Sequence, residues 1–163
     1  MIAGLVACAV ALAVATAGGL AWRATSGRMR RPGHSRTAVA GQPGEQPAGP
    51  AITAAQLGRP LGEQATLLQF SSAFCAPCRA TRVILADVAG RADGVAHVEV
   101  DAESHLDLVR QLGVLRTPTV FVLAADGRIV RRASGQPRKA DVLAALGEAA
   151  GTPVSYPSGL ETR

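Results

Sequence analysis

The stretch Phe74-Cys75-Ala76-Pro77-Cys78-Arg79 places two cysteines between apolar segments of different periodicity. The short apolar run before it, Ala65–Phe70, is typical of a buried strand. The apolar residues after it recur at the spacing of one helix face: Val83, Ile84, Leu85, Val88 and Ala89. We therefore predict that the cysteines lie where a strand ends and a helix begins. The unpaired N–H groups and positive dipole end of a helix start favour a thiolate, the reactive form of cysteine, which indicates redox chemistry.

The charge of the chain is unevenly distributed. The net charge is +5 in 163 residues, yet residues 52–150 hold 11 Lys+Arg against 10 Asp+Glu, whereas Arg23–Arg36 holds five Arg and no acidic residue. This basic charge lies beside an apolar segment rather than across a folded face, so we expect no nucleic-acid partner. Three cysteines are too few for a disulfide scaffold, and we expect Cys8 to be an inert packing residue.

The N-terminal segment Ile2–Trp22 contains 21 residues without a charge. As a helix it would be about 30 Å long, enough to cross a bilayer, and we predict a single-pass transmembrane anchor at residues 1–22. A cleaved signal peptide is the alternative, but no basic residue precedes the run, and the run is long for such a peptide. Because the arginines follow the span, the positive-inside rule predicts a cytoplasmic C-terminal domain at the cell membrane, with an extracytoplasmic domain as the alternative.

Downstream of this segment, the pattern separates a linker, one globular domain and a tail. Residues 23–51 are basic and then rich in Pro and Gly, as in a flexible linker, and residues 151–163 are typical of a loose tail. Within residues 52–150, apolar periodicity predicts the order α-β-α-β-α-β-β-α, with the last helix opening at Pro137. Strands connected through helices should be parallel, and the strands flanking Asp126-Gly127 antiparallel. The predicted fold is α/β, with a mixed four-stranded sheet and helices on both faces.

The Cys-x-Pro-Cys motif, together with the downstream Thr117-Pro118-Thr119 in a βαβ pattern, resembles the thioredoxin family. The motif has Phe74 where the family usually has Trp, and Ala76 where it usually has Gly. The element order after the first strand and the position of Gly135 are also similar. This resemblance covers the whole globular part and implies a thioredoxin-like three-layer α/β/α sandwich. Only Ala51–Thr53 could represent the family's first strand, so the sheet would have four strands, or five if that segment pairs.

The resemblance also implies a role for each residue around the motif. Cys75 would be the nucleophile, and Cys78 the buried thiol that resolves the mixed disulfide. Pro118 would be cis and pack against the disulfide, whereas an ordinary trans proline is the alternative for this residue taken alone. The backbone of Thr117 would pair with an extended substrate segment. The other expected substrate-binding residues are Phe74, Ala76 and Pro77.

Beneath the motif, the sequence departs from the family at two positions. Gln69 stands where the family usually has a buried Asp, and His97 stands where it has Lys on the neighbouring strand. Glutamine has no basic group, so a proton relay from the buried thiol would have to use water, the substrate or His97. The alternative for His97 is a strand histidine with a structural hydrogen bond.

The sequence thus predicts a membrane-tethered thiol-disulfide oxidoreductase that exchanges protein disulfides through Cys75 and Cys78 and serves cell redox homeostasis. We expect a monomer with no organic cofactor beyond the redox-active disulfide. Its partners would be protein thiols or disulfides near the membrane and a thioredoxin-reductase-like or membrane electron donor. The alternative is a thioredoxin-fold binding or scaffold module with a slow or vestigial cysteine pair. A zinc site needs four ligands, and one Cys-x-x-C supplies two, so we expect no metal.

Overall fold

The computed structural model describes residues 2–25, 27–30 and 51–151. Most of the predicted linker and all but the first residue of the predicted tail lie outside the described residues, as does the side chain of Cys8. Helix α1 covers Ile2–Thr25. In the described part of the chain, no helix has both the length and the apolar character that crossing a membrane requires. The predicted transmembrane anchor is therefore not confirmed.

In residues 51–151, eight elements follow in the predicted order. They are α2 (Ala54–Leu57), β1 (Ala65–Ser71), α3 (Ala76–Ala89), β2 (Val95–Asp101), α4 (Leu106–Gln111), β3 (Thr119–Ala124), β4 (Ile129–Ser134) and α5 (Lys139–Ala149). Helix α2 begins at a capping box, in which Thr53 and Gln56 satisfy each other's backbone N–H groups. Helix α5 begins at Lys139, two residues later than the predicted start at Pro137, and Arg138 is its N-cap.

The four strands form one mixed sheet in the order β2-β1-β3-β4. Strand β1 is parallel to β2, which places Gln69 opposite Glu99. Strand β3 is antiparallel to both β1 and β4. The prediction that helix-connected strands are parallel is right for β1 and β2. It is wrong for β2 and β3, because the chain after α4 crosses to the far side of β1 and runs in the opposite direction.

Residues alternate between the two sides of the central strands, so the sheet separates two apolar cores. Strands β1 and β3 are buried at every position. Helices α3 and α5 cover one side, with a core that includes Leu67, Leu85, Val120, Val122 and Leu146. Helices α2 and α4 cover the other side, with a core that includes Leu57, Leu68, Phe70, Leu108 and Phe121. This arrangement confirms the prediction of helices on both faces of a mixed four-stranded sheet.

The segment Ala51–Thr53, the candidate for a first strand, is not a strand. The N–H of Ile52 donates to the Gly127 carbonyl at 2.9 Å, and the Ile52 side chain is buried in the α2/α4 core. Gly127 has a φ of 81°, and a Cβ atom there would collide with the Ile52 carbonyl. This segment therefore packs against the β3–β4 turn instead of extending the sheet.

Residues 27–30, which lie inside the predicted flexible linker, pair with the outer edge of β4. The N–H of Gly27 donates to the Ser134 carbonyl at 2.9 Å, and Arg30 and Arg132 exchange backbone hydrogen bonds at 2.6 and 2.7 Å. Met29 packs against the α3/α5 core. These four residues cover backbone groups that an edge strand would otherwise expose.

Candidate redox site

Cys75 and Cys78 form a disulfide at the start of α3, with their Cα atoms 5.2 Å apart. Cys75 is the N-cap of the helix, and its Sγ accepts a hydrogen bond from the Cys78 N–H at 3.2 Å. Cys75 is half-buried, whereas Cys78 is only 1% exposed. The helix start thus aims a donor at the more accessible sulfur, which is the arrangement that stabilises a thiolate.

The solvent-facing side of the disulfide is apolar. Ala76 and Pro77 are exposed, and Phe74 is 100% exposed. Pro77 occupies the first turn of α3, where a missing N–H costs no helical hydrogen bond. Phe74 directly precedes Cys75, so its exposed ring can contact a partner protein that approaches the redox pair. Leu115 is also 93% exposed, in the loop that leads to Thr117.

The Thr117-Pro118 peptide bond is cis, as the family resemblance implied. The hydroxyl oxygens of Thr117 and Ser72 are 2.9 Å apart, which joins this loop to the end of β1, three residues before Cys75. On its other side, the Pro118 carbonyl accepts a hydrogen bond from the Gly135 N–H at 2.7 Å. The loop is therefore bonded on one side to Ser72, near the active-site turn, and on the other side to Gly135, directly after β4.

Gln69 is completely buried beneath the disulfide. Its Nε2 lies 3.0 Å from the Cys78 carbonyl oxygen, and its Oε1 lies 3.3 Å from His97 Nε2. An amide oxygen can only accept, so His97 carries its proton on Nε2 in this hydrogen bond. Burial lowers the pKa of His97, although the Glu99 charge acts to raise it. Because the net shift is downward, the ring is neutral at pH 7. Gln69 thus donates to Cys78 and accepts from His97.

Three residues that sequence reasoning missed extend this site: Ser71, Arg82 and Glu99. The Ser71 hydroxyl donates to Glu99 Oε1 at 2.6 Å and accepts from Gln69 Nε2 at 2.8 Å. Arg82 donates to both Glu99 oxygens, from Nε at 2.5 Å and from Nη2 at 2.8 Å. One signal in the sequence could have found Arg82, which follows Cys78 by one helical turn. Glu99 is brought opposite Gln69 by the parallel register of β1 and β2, which the sequence does not show.

The site thus contains a carboxylate, on a different strand from the acid usual in the family. Glu99 lies on β2, and it is joined to the active-site helix directly by Arg82 and also through Ser71 and Gln69. In the described residues, no group of three or more His, Cys, Asp or Glu side chains could hold a metal ion. The zinc alternative therefore gains no support from the structure.

The model of the thioredoxin family matches residues 55–148, more than half of the chain. The chain belongs to the thioredoxin family. Thioredoxin H2-1 of Oryza sativa subsp. japonica is 35% identical over 69 residues, which make up 42% of this chain and 49% of that protein. The chain thus spans about half the length of this curated relative.

Solved thioredoxin structures are also similar to the chain. A mutant thioredoxin from Halobacterium salinarum NRC-1 is 20% identical, with 54% of this chain and 76% of that chain covered and a TM-score of 0.50. Thioredoxin NaTrxh from Nicotiana alata is 20% identical, with 54% and 75% covered and a TM-score of 0.49. At such identities, the likeness to the first of these structures shows the fold alone.

Proposed function

We propose that this member of the thioredoxin family is a thiol-disulfide oxidoreductase that exchanges protein disulfides through Cys75 and Cys78. The observation that carries the proposal is the disulfide at the start of α3 with the cis Thr117-Pro118 loop held beside it. A second sulfur can approach the half-buried Cys75, whereas Cys78 is shielded. Family membership and the partial match to a plant thioredoxin support the same chemistry.

In the reducing direction, the Cys75 thiolate attacks one sulfur of a substrate disulfide and releases the other sulfur as a thiolate. The Cys78 thiolate then attacks the Cys75 sulfur of the mixed disulfide. This second step releases the remaining substrate thiolate and leaves the Cys75–Cys78 disulfide. Two electrons and two protons pass from the protein dithiol to the substrate. A thioredoxin-reductase-like or membrane-bound dithiol donor would supply two electrons to restore the reduced pair.

An insulin-reduction assay with dithiothreitol as the reductant tests this activity. We expect the full chain to accelerate insulin precipitation, and Cys75→Ser and Cys78→Ser each to reduce the rate to the uncatalysed level. Cys8→Ser is the matched control, since it makes the same change outside the motif, and it should retain the wild-type rate. Equal and negligible rates for wild type and the motif variants would overturn the proposal. That result would favour the binding or scaffold module, for which the absence of the usual acid at Gln69 is the supporting observation.

Attachment to a membrane is a separate part of the proposal. Its support is the charge-free run Ile2–Trp22, which lies within the 24-residue helix α1, and the arginines that follow it. The positive-inside rule then places the redox domain in the cytoplasm, with its clients near the membrane. The full chain should stay in the membrane pellet after alkaline carbonate extraction, and a C-terminal reporter should show the cytoplasmic signal. Release into the supernatant would overturn the attachment, and an extracytoplasmic signal would overturn the orientation.

A further inference from the structure

A continuous set of hydrogen bonds joins the buried cysteine to a charged pair at the edge of the site. Gln69 Nε2 donates to the Cys78 carbonyl at 3.0 Å and to the Ser71 hydroxyl at 2.8 Å. The Ser71 hydroxyl donates in turn to Glu99 at 2.6 Å. Arg82, on α3 one turn after Cys78, holds both oxygens of Glu99. Every step has one donor and one acceptor, so the set is internally consistent.

We propose that the Glu99–Arg82 ion pair sets the redox equilibrium of the Cys75–Cys78 disulfide, through its balanced charges and through the Ser71–Gln69 connection to α3. The inference rests on the proposed thiol-disulfide exchange and names residues that regulate it. Glu99 is a positioning residue in this proposal, because it is connected to Cys78 only through other side chains: it accepts from Gln69 Nε2 at 3.5 Å and from the Ser71 hydroxyl at 2.6 Å. The two charges come from different elements, β2 and α3, so the ion pair also fixes the active-site helix against the sheet.

The charges of Glu99 and Arg82 offset each other at neutral pH. Burial acts to raise the pKa of Glu99, but the hydrogen bonds from Arg82 and Ser71 together with the charge of Arg82 lower it overall. Glu99 is therefore ionised, and its side chain is only 25% exposed. His97, on the same strand, is kept neutral by burial, and the neighbours on β1, Gln69 and Ser71, are neutral. The charge that offsets the Glu99 carboxylate is that of Arg82.

This balance predicts opposite effects of removing each partner. Reduction creates a thiolate at the start of α3, and a nearby cation stabilises a thiolate whereas a nearby anion destabilises it. Glu99→Gln leaves the Arg82 charge without its partner, so it should favour the reduced dithiol and make the pair a stronger oxidant. Arg82→Gln leaves the Glu99 charge alone, so it should favour the disulfide. If the substitutions acted only by disrupting the structure, the redox equilibrium would shift in the same direction in both variants.

The test is the fraction of reduced Cys75–Cys78 in the full chain, equilibrated at pH 8 with mixtures of reduced and oxidised dithiothreitol and trapped by alkylation. We expect the equilibrium constant for reduction to rise about two- to fivefold in Glu99→Gln and to fall about two- to fivefold in Arg82→Gln, as for a single partly screened charge. The double variant should return to within about twofold of the wild type. Asp107→Asn and Arg110→Gln are matched controls, because they make the same charge changes in an exposed ion pair on α4.

The outcomes separate the inference from the function on which it rests. Opposite shifts in the two variants, with no shift in the α4 controls, support the inference. Shifts of equal sign, or no shift beside a wild type that exchanges normally, would overturn the inference and leave the proposed function standing. Failure of the wild-type pair to exchange with dithiothreitol at all would overturn the proposed function and the inference together.

Discussion

The two cysteines of one disulfide have opposite surroundings. Next to Cys75 the protein presents the exposed apolar side chains of Phe74, Ala76 and Pro77, of which Phe74 is 100% exposed. Around Cys78 it presents a buried polar network centred on Gln69, which is completely buried. Exposed apolar groups select partners and contribute little to folding, whereas buried polar groups cost stability when they lose a hydrogen bond. We call the exposed residues next to Cys75 the solvent side of the disulfide, and the buried network around Gln69 the core side. We expect the solvent side to determine substrate choice, and the core side to determine stability and redox equilibrium.

The largest expected difference between the two sides is in covalent trapping. With Cys78→Ser, the reduced protein should accumulate a mixed disulfide between Cys75 and a protein substrate, because the resolving thiol is gone. With Cys75→Ser, trapping should be weaker by about tenfold or more, since Cys78 is only 1% exposed and a buried thiol reacts poorly. Non-reducing gel electrophoresis and mass spectrometry of oxidised insulin with each variant measure this. Equal trapping by both variants would contradict the assigned roles.

The next effect is on stability and concerns the core side. Gln69→Leu removes the amide N–H groups that donate to the Cys78 carbonyl and the Ser71 hydroxyl. It also removes the amide oxygen that accepts from His97. Unsatisfied buried polar groups should lower the free energy of unfolding by about 1–3 kcal/mol. Urea denaturation of the oxidised protein measures it. Gln64→Leu, the same change at an exposed position, is the control and should stay within about 0.5 kcal/mol of wild type. A similar loss in both variants would show that the buried network adds no stability.

Most of the fold was predictable because its elements follow local patterns. The apolar run Ala65–Phe70 and the helix ending at Ala89 correspond closely to β1 and α3. Two segments have a structure that the sequence did not indicate, because it depends on distant partners. Ala51–Thr53 contacts the turn at Gly127, and residues 27–30 pair with β4, more than 100 residues away along the chain. Their local composition gives no sign of these contacts, because the partners are brought close only by the folded sheet.

The site also contains residues that short motifs predicted and residues that only the folded sheet brings together. The disulfide between Cys75 and Cys78 and the cis bond before Pro118 were expected from short motifs and a family resemblance. The Glu99–Ser71–Gln69 network was missed, because it depends on the register of two parallel strands 30 residues apart. The family resemblance pointed to an acid only at position 69, where this chain has Gln. The structure shows that a carboxylate can approach the same helix from the neighbouring strand.

A smaller effect is expected from the solvent side. Phe74→Ala should lower the rate constant for a protein disulfide about three- to tenfold, because partial burial of a large apolar side chain in a complex contributes about 0.7–1.4 kcal/mol. The reaction with a small aromatic disulfide reagent should change less than about twofold, because that reagent buries little of the surface. Insulin reduction and reagent absorbance measure the two rates. Val83→Ala, which truncates another exposed apolar residue of this region, is the control. Equal loss with both substrates would show that Phe74 affects Cys75 itself rather than partner binding.

The smallest effect is a change in the pH dependence of stability on the core side. Burial lowers the pKa of His97 below its ordinary value of 6.5, so between the two values the unfolded chain binds more protons than the folded protein. The free energy of unfolding should therefore fall as pH decreases from about 7 to 5, with a slope of at most about 1.4 kcal/mol per pH unit from this residue.

His97→Gln keeps a donor for Gln69 but cannot titrate, so its free energy of unfolding should change less with pH in this range. Urea denaturation at each pH measures the slope, with His105→Gln as the same change outside the network. An unchanged slope in His97→Gln would mean that burial does not keep the imidazole of His97 neutral.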